Sequence, residues 1–136
     1  MKKRLLYLIL PIITLVLELL PYGAVCVFAP SPTERIKETF SYFDFTPLGF
    51  ANFAPLITAL LTCVTLLLLV IFCVTGKMHW LQNAKKVACA AAVISFGPFV
   101  YGIRYFSLVG LLISITLIAE FFLIPNNLNI SEKPKE

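Results

Sequence analysis

Charge is scarce in this chain. Of its 136 residues, 13% are Asp, Glu, Lys or Arg, against roughly 25% in an ordinary soluble domain. A small globule buries only about two-thirds of the surface that its unfolded chain exposes. A water-soluble fold therefore has no place for a chain that is 60% hydrophobic, with a mean hydropathy of +0.93. Lipid as the solvent removes the difficulty. The composition predicts an integral membrane protein whose first partner is the lipid bilayer.

Metal-binding and redox side chains are equally sparse. His79 is the only histidine, and Cys26, Cys63, Cys73 and Cys89 include no Cys-x-x-Cys pair. That excludes the zinc and dithiol motifs and leaves small apolar residues filling helix contacts. No glycine-rich phosphate loop or nucleophile–base pair is written here either. The expectation is a protein that is not an enzyme, with no cofactor, no metal and no catalytic residue.

The net charge of +4 raises nucleic acid as a partner, and its distribution dismisses it. Lys2, Lys3 and Arg4 open the chain, and Lys77, Lys85 and Lys86 cluster in its middle. These are short blocks abutting apolar runs, the pattern that orients membrane helices, and not the basic stripe that tracks phosphates.

Four apolar runs approach the roughly 20 helical residues needed to cross a hydrocarbon core. They fall at about 5–28, 55–74, 87–103 and 106–124. The fold class expected is all-α, one domain of four transmembrane helices. The basic flanks place the N-terminus, the loop "GKMHWLQNAKK" (76–86) and the tail 125–136 on one side, the cytoplasmic side of the plasma membrane. The other side holds Arg35, Lys37 and Arg104, with Glu34, Glu38 and Asp44 offsetting the first two. A cleaved signal peptide is the competing account of the first run. Its apolar stretch exceeds the usual h-region of roughly 7–15 residues, and Pro11, Glu18 and Pro21 interrupt it, so an uncleaved span is expected.

The outer loop, 30–54, is the one sizeable polar segment between runs. Ser31-Pro32-Thr33-Glu34 has the form of a capping box with proline at the first helical position, which predicts a short interfacial helix to about Phe40. Phe40, Tyr42, Phe43, Phe45, Phe50 and Phe53 are too many aromatics for a free tether. They serve either as an interfacial belt that lids the helices or as a docking surface for a membrane-protein partner or a second copy.

Elsewhere the signals concern packing. Gly97-Pro98 should loosen the outer part of the third run. Cys89-Ala90-Ala91-Ala92, and Gly110 with Ser114, offer small-residue faces for close helix contact.

Glu18 and Glu120 are the unusual residues, because ionisable groups in hydrocarbon are costly. At 1.5 Å per residue Glu18 lies about 20 Å above the inner edge and Glu120 about 6 Å above it. That separation argues against a shared-proton dyad. Arg104 is positioned to reach Glu18, and Lys85 or Lys86 to reach Glu120, as structural pairs. Alternatively Glu18 is a proton or cation site lined by Thr58, Thr62 and Thr65.

Four runs with a glutamate in the first resemble the small multidrug resistance transporters, in which that residue exchanges protons for drug cations. The resemblance rests on Glu18 and the number of runs. The leucines around Glu18, the long outer loop and the single Gly110 in the last run depart from that family's pattern. Two functions are thus carried forward. One is a non-enzymatic accessory or protein-interaction subunit, bound to a membrane-protein partner or to copies of itself as a homo-oligomer; the other is a small proton- or cation-coupled transporter or channel using Glu18.

Overall fold

The computed structural model describes residues 2–49, 52–100, 102–105 and 107–126. The chain is mostly helical with one strand pair. Helix α1 runs Lys2–Leu19, strands β1 and β2 cover Ala24–Phe28 and Ile36–Phe40, and a single turn, α2, spans Thr46–Gly49. Helix α3 follows at Ala54–Thr75, α4 at Met78–Ser95, the short α5 at Gly97–Val100 and α6 at Leu108–Leu123. Among the described residues, α3 is the one helix long and apolar enough to cross a membrane by length and composition.

The four long helices pack as a closed ring in the order α1, α3, α4, α6. Side-chain contacts fix alternating directions. Glu18 meets Thr62 while Arg4 meets Phe72, so α1 and α3 are antiparallel. Thr14 meets Thr116 while Gly23 lies against Gly110, so α1 and α6 are too. Small residues allow the close approach: Ala84, Ala88 and Ala91 are fully buried on α4, and a Cβ on Gly97 would stand 2.7 Å from that of Ala54. Two apolar clusters fill the ring. One near the hairpin holds Tyr42, Ala59, Ile113 and Leu117. The other, at the opposite end, holds Leu69, Phe72, Leu81 and Ile124.

Three expectations are corrected. The first apolar run is not one helix over 5–28: α1 stops at Leu19, and Pro21 and Gly23 turn the chain into β1. No helix forms over 31–40. Ser31 Oγ accepts from the Glu34 N–H at 3.1 Å, so the capping contact is made, but it closes a turn and not a helix. The β-branched and aromatic residues Ile36, Thr39 and Phe40 then find a partner strand, with Cys26 opposite Glu38. The segment 76–86 is not a loop either. Gly76, at φ 69°, caps α3 by donating to the Phe72 carbonyl at 2.8 Å, and α4 starts two residues later. The expected break at Gly97-Pro98 is present, with α4 ending at Ser95.

Cys26 sits on the covered face of β1, 5% exposed. Burial pushes its thiol up from the ordinary value of 9.0, and the Asp44 and Glu38 carboxylates push it further. Thiolate is the reactive form. A water-soluble maleimide is therefore expected to leave Cys26 unmodified in the folded protein and to modify it once the chain is unfolded, as read by peptide mass spectrometry.

Candidate functional site

Beside its two apolar clusters, the interior of the ring carries a set of buried polar side chains. Thr14 and Glu18 on α1, Thr58, Thr62 and Thr65 on α3, Ser95 on α4, and Ser114 and Glu120 on α6 are all at most 1% exposed. Their placement follows from helical periodicity, since residues four apart share a face. Thr58 and Thr62 are four apart on α3, Thr14 and Glu18 on α1, and Thr116 and Glu120 on α6.

Glu18 is held by one side-chain hydrogen bond, from Thr62 Oγ1 to its Oε1 at 2.7 Å. Among the described residues its other oxygen has no partner, and neither oxygen of Glu120 has one. Thr62 Oγ1 also lies 3.1 Å from the Thr58 carbonyl. A hydroxyl carries a single proton but accepts as well as donates. Thr62 therefore donates to an ionised Glu18, or accepts from a protonated one while donating to Thr58. The contact suits either protonation state.

Between the two glutamates, Thr14 Oγ1 donates to Thr116 Oγ1 at 2.9 Å. Each glutamate lies four residues beyond its threonine in helices of opposite direction. Their backbone positions are therefore offset by about 12 Å along the axis, and because helical side chains lean toward the N-terminus, both carboxyls lean back toward the hydroxyl pair between them. Thr14-Leu15-Val16-Leu17-Glu18 and Thr116-Leu117-Ile118-Ala119-Glu120 are two copies of one pattern, Thr-Leu-x-x-Glu. Antiparallel packing relates them by a local two-fold. This repeat was legible in the sequence and escapes notice because the copies stand some hundred residues apart.

Both ends of the seam are closed. At the hairpin end, the Tyr42 N–H donates to the Glu18 carbonyl at 2.9 Å. The Tyr42 ring is so close to Gly23 that a Cβ there would stand 2.8 Å from it. The Tyr42 hydroxyl is held well above its ordinary range by burial, and next by the charge of Glu18. At the other end lie Leu69, Phe72, Leu81 and Ile124.

The expected ion pairs do not form. Arg104 is exposed on a 3-10 turn at Ile103–Tyr105, and Lys86 is exposed on α4. Lys85 turns away from Glu120 to the Ile124 carbonyl at 2.8 Å and to Asn126 Oδ1 at 2.7 Å. Among the described residues, neither glutamate has a cationic partner. Arg104 and Lys86 face water, and Lys85 is satisfied by protein oxygens.

The aromatic set divides. Tyr42 is buried and belongs to the core, so it is removed from any exposed surface. Phe40 and Phe43 are half-buried against the same cluster. Phe45 and Phe53 are exposed, and Phe50 lies outside the described residues. No group of three or more His, Cys, Asp or Glu able to hold a metal occurs among the described residues. Comparison with protein-family models, with curated proteins and with solved structures gives no match.

Proposed function

We propose that this is a small polytopic plasma-membrane protein that moves protons, alone or coupled to a cation, through its Glu18–Glu120 seam. In this reading α1, α3, α4 and α6 cross the bilayer with both termini cytoplasmic. The distribution of polarity supports the membrane part. Leu67 and Val93 on the outward faces are 60% and 68% exposed, while the carboxyls and hydroxyls point inward. Lys2, Lys3, Arg4, Lys77, Lys85 and Lys86 gather at one end, as the positive-inside rule requires of a cytoplasmic face.

One observation carries the proton part: two fully buried carboxyls with no cationic partner among the described residues. An isolated buried carboxylate is so costly that the group takes up a proton instead. A pair of such groups, with the Thr14–Thr116 hydroxyl contact between them, is the basis of a proton relay. Inverted repeats around a midplane site are a recurring design in membrane transporters.

The test is reconstitution into vesicles enclosing a pH-sensitive dye, with an imposed potassium diffusion potential. Vesicles with the protein are expected to acidify or alkalinise faster than empty ones. Equal rates, with the protein inserted, would remove the proton reading. The accessory reading keeps support from Phe45 and Phe53, exposed beside the hairpin; crosslinking from these positions to a specific membrane protein or a second copy would favour it.

A further inference from the structure

We propose that the groove between α4 and α6 at the lysine-bearing end binds one anionic phospholipid. Its phosphate would lie at Lys86 and Lys85, with an acyl chain along the apolar trough above them. The inference rests on the reading that the helices cross a bilayer.

Two depressions meet here. The first encloses about 460 Å³ and is lined by Gln82, Lys85, Lys86, Cys89, Phe121 and Asn126. The second encloses about 250 Å³ between apolar side chains, among them Ala92, Phe96, Ile118 and Phe122. Cys89 and Phe121 border both, so they form one groove. From Lys86 to Phe96 it follows the α4 axis for about 15 Å. One end is cationic and amide-rich, and the rest accepts only hydrocarbon. That polarity matches a lipid with a negative headgroup and does not match a free anion, which has no use for the trough.

The charge at the polar end is available. Lys85 Nζ spends two donors on Ile124 and Asn126 and sits 4.6 Å from the centre of the Phe121 ring. An ammonium has three donors, so one remains. Lys86, one residue on, is exposed and makes no ion pair or hydrogen bond among the described residues. Among the described residues, no carboxylate lines the groove to compete. Basic pockets between helices on the cytoplasmic side are suited to lipid phosphates.

The experiment is native mass spectrometry of the full chain in a neutral detergent, titrated with dioleoyl phosphatidylglycerol or dioleoyl phosphatidylcholine. A carbonate wash of membranes holding the same protein runs in parallel. One phosphatidylglycerol per chain is expected to be retained in preference to phosphatidylcholine. Lys86→Gln should weaken retention about fivefold, the weight of one lysine near an anionic surface. Cys89→Trp, which fills the junction of the two depressions, should abolish the adduct while circular dichroism stays helical. Excess inorganic phosphate should not displace the lipid. Equal retention of both lipids, displacement by phosphate, or indifference to Lys86→Gln in a wash-resistant protein overturns the lipid site and leaves the membrane reading intact. Release of the chain by carbonate overturns both.

Discussion

Replacing Glu18 with glutamine is expected to abolish proton flux in reconstituted vesicles while leaving the fold in place. The amide keeps an oxygen for the Thr62 hydroxyl, which now bonds Glu18 at 2.7 Å. Its NH2 takes the position of an oxygen that already lacks a partner. The change in unfolding free energy should therefore stay within about 1 kcal/mol, the net worth of a single hydrogen bond. What the amide cannot do is bind and release a proton. Glu120→Gln is expected to behave alike, and the double variant should be no worse than either single one, because a relay in series fails at its first missing step. A structural role predicts the reverse. Glu18→Gln would then unfold the protein in detergent and leave the flux per folded molecule unchanged. Thr14→Val supplies an intermediate case, since it removes the hydroxyl beside Thr116 and should slow the flux without removing either carboxyl.

Tyr42→Ala is expected to cost the most stability of any single change outside the helices. Tyr42 is 2% exposed, packs on Gly23, and ties the hairpin to α1 through its N–H. Truncating a buried aromatic to alanine costs about 3–5 kcal/mol, measurable by denaturant unfolding in detergent. Tyr42→Phe should cost far less and isolates the hydroxyl. That hydroxyl gives a pH signature of known sign. In the unfolded chain it ionises near its ordinary value of 10.0, whereas burial, and next the charge of Glu18, hold it protonated in the fold. Its contribution is complete below pH 10 and is lost as the pH rises beyond it, by about 1.4 kcal/mol per pH unit. The Tyr42→Phe variant should lack that slope.

Helix α3 was legible because a long apolar run leaves little choice, and the run read at 55–74 folds as Ala54–Thr75; α4 was not, because Met78–Ser95 starts inside the basic segment read as a loop and ends before Gly97. The hairpin was not. Ser31-Pro32-Thr33-Glu34 serves a turn as well as a helix start, and only the partner strand Ala24–Phe28 decides between them. The partnering of Glu18 was not legible for a similar reason. Its depth allowed Arg104, but the 3-10 turn that carries Arg104 outward depends on the break after Ser95. Thr58 and Thr62 were found by spacing. Ser95 was not, because its role lies in its contact with Ser114 at 2.9 Å across two helices.

As the proton-carrying carboxyls proposed, and not counter-ions, Glu18 and Glu120 should hold protons at neutral pH. Infrared spectroscopy of the protein at pH 7 in a detergent that has no ester or other carbonyl group tests this most directly, through the high-frequency carbonyl stretch of a protonated carboxyl, which carboxylates and amides lack. The account predicts a band that weakens in Glu18→Gln, weakens in Glu120→Gln and disappears in the double variant. A spectrum at pH 7 with no protonated carboxyl, in the wild-type protein, would contradict it.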